Sequence, residues 1–205
     1  MTDAQAQTDG MVIASDAGKP LAERHFLEVR FGGSGGQGVI LMGVILAVAA
    51  TRDHRYVVQT QSYGPEARGG YSRSDVIIAR NPVDYPQLTG IDLLVALSAE
   101  AAQKYTGFVR SHGVFIFDSG VLATPPRITA DTYGVPFAKL ALEATGRAQT
   151  ANILTLGAVV GLTGIISPDS LEKAVLSMVP KGTEEMNQAA MRRGLELDGE
   201  EWRVR

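Results

Sequence analysis

A cluster of glycines is the feature of this 205-residue chain that could bind a ligand. Gly33, Gly35 and Gly38 satisfy the pattern G-x-G-x-x-G, with Gly36 and Gln37 inside it. A loop of this kind between a strand and a helix presents backbone N–H groups at the positive end of the helix dipole, and it lets a phosphate approach the main chain. The loop therefore predicts an anion-binding site. A tight turn that only packs the helix on the strand is the alternative.

A second polar segment, residues 59–70, holds Tyr63, Glu66 and Arg68 between two apolar stretches. Loops at the carboxyl edge of a parallel sheet are where binding residues gather. The three side chains are thus candidate binding or interface residues. In the alternative interpretation Glu66 and Arg68 form an ion pair that fixes the loop and does nothing else.

A nicotinamide dinucleotide is disfavoured by the residues that follow the glycine loop. Folds that bind this cofactor place an acidic residue near the end of the second strand, about 20 residues further on, where it holds the ribose hydroxyls. Here that strand ends at residues 58–61 without a carboxylate, and Asp53 precedes the strand. No residue is assigned as an acid, a base or a nucleophile.

Composition excludes several other functions. The chain has no cysteine, so any iron–sulfur cluster that serves it must lie on another polypeptide. The three histidines, His25, His54 and His112, lie far apart in the sequence and lack the spacing that is typical of metal ligands, so we predict no metal site. Lys+Arg 19 against Asp+Glu 22 gives a net charge of −3, which disfavours nucleic acid. No apolar run reaches the roughly 20 residues of a membrane span, and the first residues do not read as a secretory signal, so we expect a cytoplasmic protein.

The hydrophobic pattern indicates the elements that must position these residues. Alternating or continuous apolar runs predict strands, and longer apolar or amphipathic stretches predict helices. The predicted fold is α/β and Rossmann-like, with a mostly parallel, doubly wound sheet and a helical C-terminal third. Strands are predicted over residues 27–31, 56–60, 74–78, 92–97 and 114–117, and helices over 39–50, 99–109, 170–178 and 184–197.

Four segments together resemble a known family. They are Gly33–Val39, Val57–Gly70 with its Tyr-Gly-Pro-Glu-Ala-Arg-Gly-Gly, Asp92–Leu97 and Phe115–Asp118. In this order they are similar to the gamma subunit of the 2-oxoacid:ferredoxin oxidoreductases, and the resemblance runs from about residue 26 to about residue 197. On this basis residues 1–25 are expected to be a flexible N-terminal extension, 26–198 the gamma domain and 199–205 a tail.

The resemblance implies a subunit of an enzyme that converts a 2-oxo acid and coenzyme A to an acyl-CoA and CO2. The 2-oxo acid would be 2-oxoglutarate, pyruvate, a branched-chain acid or an aryl glyoxylate. The chain would bind no cofactor alone. Thiamine diphosphate, magnesium and iron–sulfur clusters would lie on alpha, beta and ferredoxin-like delta subunits, with ferredoxin or another acceptor downstream.

Within such a complex the gamma subunit would help to assemble the enzyme and to enclose coenzyme A. The candidate binding or interface positions are Gly33, Gly35, Gly36, Gln37 and Gly38, and less firmly Tyr63, Glu66 and Arg68. Two other hypotheses remain open: a free-standing Rossmann-type nucleotide-binding oxidoreductase and an assembly module without a ligand.

Overall fold

The computed structural model describes Asp16 and residues 18–63 and 70–204. Its centre is one six-stranded sheet in the order β2-β3-β1-β4-β5-β6. The pairings of β4 with β1 and with β5, and of β5 with β6, are parallel, whereas β3 runs antiparallel to both β1 and β2. Three of five pairings are therefore parallel, which confirms the predicted mostly parallel α/β sheet. The strands are β1 (Phe26–Ser34), β2 (Tyr56–Tyr63), β3 (Tyr71–Ala79), β4 (Ile91–Ala96), β5 (Val109–Asp118) and β6 (Asp131–Val135).

Helices cover both faces of the sheet unequally. The C-terminal third is helical, as predicted. Among the described helices, α2 packs on one face, and α1 and the C-terminal helices pack on the other in the larger core. The helices are α1 (Val39–Arg52), α2 (Ala99–Tyr105), α3 (Phe137–Thr145), α4 (Ala151–Thr163), α5 (Pro168–Met178), α6 (Glu184–Leu195) and α7 (Gly199–Trp202).

The glycine loop precedes a helix that is apolar on nearly all sides. Met42, Ile45 and Leu46 of α1 are fully buried. Such a helix must be covered on both sides, and α1 lies between the sheet and α5. A second layer of the same chain therefore covers the side of this helix that faces away from the sheet.

Several predicted boundaries were wrong. The first strand extends beyond residue 31 to Ser34, so Gly33 belongs to the strand and not to the loop. The helix predicted over 99–109 ends at Tyr105, and one 3-10 turn leads directly into β5 at Val109. Strand β6 and helices α3, α4 and α7 were not predicted. Strand β6 has only five residues, and the strand that it pairs with is β5, a contact that no local pattern reveals.

The chain packs on the domain before residue 26 and after residue 198. Arg24 is 2% exposed, and its Nη1 donates to Asp92 Oδ1 at 2.8 Å. Near the other end, α7 follows Asp198, and Arg203 forms a bridge to Tyr133 of β6. Residues 1–15, most of the predicted flexible extension, lie outside the described residues.

Candidate functional site

The glycine segment forms a tight turn between β1 and α1. Gly35 N–H donates to the Gly70 carbonyl at 2.7 Å, which fastens the turn to the start of β3. Gly36 has a φ of +90° and Gly38, the N-cap of α1, a φ of +73°. Residues other than glycine rarely adopt these φ values. Two of the glycines are thus required by the path of the backbone.

At two of the glycines a Cβ would come too close to neighbouring side chains. A Cβ on Gly33 would lie 2.6 Å from Gln37 Oε1 and 2.9 Å from Val39 Cγ2. A Cβ on Gly38 would overlap with Asn152 Nδ2. A Cβ on Gly36 would meet nothing within 4 Å. Of these three glycines, Gly36 is therefore the one at which an added side chain would enter open space.

The side chain of Gln37 holds the turn together. Its Oε1 accepts from Ser34 N–H at 2.6 Å, and its Nε2 donates to the Leu97 carbonyl at 2.9 Å. Both ends of the amide are thereby used within the protein, and they tie the end of β1 to the end of β4. The structure places this candidate residue at the site as a brace for the loop.

A cleft of about 300 Å³ opens beside the turn. It lies where the connections after β1 and β4 leave for opposite faces of the sheet, the position at which open α/β sheets bind ligands. Among its described lining residues, Asp118 is the single ionisable one. The lining residues are Gly36, Gln37, Leu97, Asp118, Phe137, Ala138, Ala148, Gln149, Ala151, Asn152 and Thr155.

Three helices, α1, α3 and α4, begin at this cleft, and none of them has a side-chain cap or an acidic residue in its first turn. The other four described helices, α2, α5, α6 and α7, all carry an acidic residue in the first turn, and three of them have a side-chain cap. The first four N–H groups of a helix have no partner within the helix and carry positive partial charge. The cleft therefore collects three helix N-termini that have no acidic residue in their first turn, and at one of them, the start of α3, the N–H of Phe137 faces the carboxylate of Asp118.

Asp118 stands at the end of β5, lines the cleft and is 6% exposed. Its Oδ1 accepts from Gly120 N–H at 2.8 Å. Burial raises the pKa of this carboxyl above its usual 3.8, against the lowering effect of the backbone N–H groups of Gly120 and Phe137. No lysine or arginine lies among the described cleft residues to offset the cost of burying its charge.

The second predicted cluster lies only partly within the described residues. Tyr63 ends β2 and is 66% exposed. It pairs with Ser72, at the same edge of the sheet as Ser34, so the segment that joins Tyr63 to Gly70 starts and ends at that edge. Tyr63 does not line the cleft. Glu66 and Arg68 lie outside the described residues.

Sequence reasoning missed four polar residues of the cleft, Asp118, Gln149, Asn152 and Thr155. Asp118 carried a signal, since it is the first polar residue after an apolar strand, where parallel sheets place binding groups. Gln149, Asn152 and Thr155 carried none. They reach the cleft because α4 begins there, which depends on the packing of the helices.

Some further site types have no support in the described ranges. Among residues 16, 18–63 and 70–204, no three His, Asp or Glu side chains are grouped as metal ligands would be. In the same part of the chain, no helix has the length and apolar character needed to cross a bilayer.

The sequence matches the protein family described as pyruvate ferredoxin/flavodoxin oxidoreductase over residues 28–197. The chain belongs to this family. A similar relative is the 2-oxoglutarate synthase subunit KorC of Methanocaldococcus jannaschii, 46% identical over 173 residues, which are 83% of this chain and 92% of the relative.

Two solved structures are similar to this chain. The gamma subunit of a keto/oxoacid ferredoxin oxidoreductase from Geobacter sulfurreducens is 43% identical, with a TM-score of 0.79 over 87% of this chain and 99% of that one. A 2-oxoglutarate:ferredoxin oxidoreductase from Magnetococcus marinus, solved with 2-oxoglutarate, coenzyme A and succinyl-CoA bound, is 24% identical. It shares the fold, with a TM-score of 0.75 over 84% of this chain and 31% of that chain. The predicted gamma-subunit resemblance is confirmed, and the chain is a subunit of an oxidoreductase.

Proposed function

We propose that this gamma subunit serves a complex that converts 2-oxoglutarate and coenzyme A to succinyl-CoA and CO2, and that its cleft binds the phosphate-bearing end of coenzyme A. The substrate is proposed from the likeness to a 2-oxoglutarate synthase subunit. The observation that carries the ligand is the meeting of three helix N-termini, those of α1, α3 and α4, at one cleft, none with an acidic residue in its first turn. Phosphate oxygens satisfy free helix N–H groups and interact favourably with the dipoles.

The size of the cleft limits how much of the ligand this chain can hold. About 300 Å³ is at the lower end of the ~300–1,000 Å³ typical of ligand pockets. Coenzyme A is larger than this, so the gamma subunit binds one end and leaves the thiol end free to reach a reaction centre on a partner.

The chemistry then divides between subunits. Thiamine diphosphate, magnesium and iron–sulfur clusters belong to alpha, beta and ferredoxin-like delta partners, and the electrons leave to ferredoxin or a similar acceptor. The gamma chain, which has no cysteine, raises the local concentration and fixes the orientation of coenzyme A. Positioning of this kind contributes to rate by removing the entropy of bringing two reactants together.

Gly36 offers a test, because a side chain there meets no protein atom within 4 Å. Gly36→Asp would place a carboxylate at the mouth of the cleft, and Gly36→Asn is the uncharged control of the same shape. Both variants carry the same backbone strain from the positive φ. A like charge about 4 Å from a phosphate is repelled by about 4 kcal/mol at an effective dielectric constant near 20.

We expect Gly36→Asp to raise the KM for coenzyme A in the assembled complex by at least about tenfold relative to Gly36→Asn. The KM for 2-oxoglutarate should be unchanged. Equal KM values for coenzyme A in the two variants would refute the phosphate site. Faster turnover of pyruvate than of 2-oxoglutarate by the native complex would refute the proposed substrate.

A further inference from the structure

The cleft lies on an unexpected side of the glycine turn. In dinucleotide-binding folds the adenosine lies over the strand that follows β1, where an acidic residue holds its ribose. Here that side of β1 is taken by β3, which runs antiparallel and places Tyr71 opposite Ser34. The Gly70 carbonyl also accepts from Gly35 N–H at 2.7 Å. The open space lies instead toward β4 and β5.

The distance across the cleft suits a nucleotide. β1 and β5 are the two neighbours of β4, so their ends lie about 10 Å apart at the usual strand spacing of about 4.8 Å. The anion site is at the end of β1, and Asp118 is at the end of β5. This separation is comparable with the extended length of an adenosine 5′-phosphate from its phosphorus to the exocyclic amine of its base.

Asp118 is placed to read a hydrogen-bond donor. An ionised carboxylate only accepts hydrogen bonds, and it repels phosphate. Its charge is buried in a cleft that attracts anions, and the protein partners that stabilise it there are the backbone N–H groups of Gly120 and Phe137. Either oxygen has lone pairs left after these contacts.

Coenzyme A offers few donors at its nucleotide end. The ribose has one free hydroxyl, at the 2′ position, and this lies beside the 3′-phosphate, which a carboxylate would repel. The exocyclic amine of adenine is uncharged and stands away from every phosphate. The donor that fits Asp118 is therefore the amine.

We infer that Asp118 accepts a hydrogen bond from the exocyclic amine of the adenine of coenzyme A, and that it makes the cleft selective for this base. The inference rests on the proposed function, since it places the phosphates at the glycine turn. Asp118 is in this view a specificity-determining residue of the gamma subunit.

The first test uses the unaltered complex. Its KM is measured for coenzyme A, for the analogue with hypoxanthine in place of adenine, and for the 2′-deoxy analogue. Hypoxanthine replaces the donor amine by an acceptor oxygen. The hypoxanthine analogue loses the hydrogen bond to the charged carboxylate, and its oxygen is repelled by the oxygens of Asp118. We therefore expect its KM to be at least about tenfold higher than that of coenzyme A. The 2′-deoxy analogue should match coenzyme A. Equal KM values for all three ligands, or a rise only with the 2′-deoxy analogue, would overturn the inference.

The second test uses Asp118→Asn. Gly120 N–H holds the amide oxygen at the position of Oδ1, so the amide NH2 replaces Oδ2 and presents a donor. We expect the preference to reverse, with hypoxanthine bound better than adenine. The matched control is Asp169→Asn, at an exposed acidic residue on α5, which should keep the native preference for adenine.

The two proposals fail in different ways. If Gly36→Asp raises the KM for coenzyme A but Asp118→Asn keeps the native base preference, the phosphate site stands and the role of Asp118 is refuted. If neither variant changes any KM, both proposals are refuted. Should Asp118→Asn fail to assemble, the analogue series on the unaltered complex still decides the inference.

Discussion

The charged side chains at the two ends of strands β1, β4 and β5 differ in whether they have a partner of opposite charge. At the amino ends, Arg24 Nη1 donates to Asp92 Oδ1 at 2.8 Å, and Arg110 Nη2 donates to Glu28 Oε2 at 2.5 Å. Glu28 also accepts from the N–H and the hydroxyl of Thr89. At the carboxyl ends, Asp118 has no side-chain partner among the described residues. One edge is therefore closed on itself, and the other is left open.

This difference separates charge used for folding from charge available for binding. Glu28 and Asp92 are buried, and their negative charges are balanced by two arginines of the same chain. Breaking such a network leaves an uncompensated buried charge. In the cleft, no arginine balances the charge of Asp118, and no acidic residue stands in the first turn of α1 or α4, so a ligand or a partner subunit can supply these partners.

Removal of Asp92 is expected to have the largest effect on folding. Asp92→Ala leaves Arg24, which is 2% exposed, without its carboxylate, and it deprives Glu28 N–H of an acceptor at 2.9 Å. We expect a loss of about 3–5 kcal/mol in the free energy of unfolding, measured by urea titration. Asp92→Asn should lose less, since it keeps an acceptor oxygen. A loss below about 1 kcal/mol for Asp92→Ala would mean that the network stabilises the fold no more than a surface ion pair does.

Gly33→Ala tests whether the open edge is as tightly built as the closed one. The added Cβ would lie 2.6 Å from Gln37 Oε1 and 2.9 Å from Val39 Cγ2, so the turn must shift. We expect a loss of about 1–3 kcal/mol in the same measurement. Gly107→Ala is the control, because its Cβ meets nothing within 4 Å. Equal stability changes in both variants would mean that the turn yields without cost.

The titration of Asp118 is expected to make the stability of the fold depend on pH. Burial raises its pKa above 3.8, so from that pH up to the raised value the folded chain holds more protons than the unfolded chain. Wild-type stability is then reduced as the pH rises. Asp118→Asn does not titrate, and we expect its stability relative to wild type to increase from pH 3.8 upward before levelling off. A difference that is constant with pH would contradict this origin.

The smallest effect is expected at an exposed pair of similar geometry. Lys173 Nζ lies 2.7 Å from Asp169 Oδ2, close to the 2.8 Å of Arg24 and Asp92, but the side chains are 58% and 72% exposed. We expect Lys173→Met to change the free energy of unfolding by less than about 0.5 kcal/mol. A loss as large as that of Asp92→Ala would show that distance, and not burial, sets the strength of these pairs.

Local spacing in the sequence was sufficient for much of the fold. The glycine loop lies between a strand and a helix as predicted, and Ser167, Pro168 and Asp169 open α5 with a cap, a proline and an acidic residue. These features depend on residues a few positions apart. The ends of β1 and α2, and the existence of β6, depend on partners far along the chain, and their prediction failed.

The sequence by itself determined the glycine turn, the apolar strands, the absence of cysteine and the family resemblance, because each is written in neighbouring residues or in composition. Only the tertiary structure decided which side of the turn is open. It placed antiparallel β3 beside β1 and brought Asp118, the start of α3 and the start of α4 to one cleft. Strand order and helix packing arise from contacts between residues distant in sequence, which no local pattern encodes.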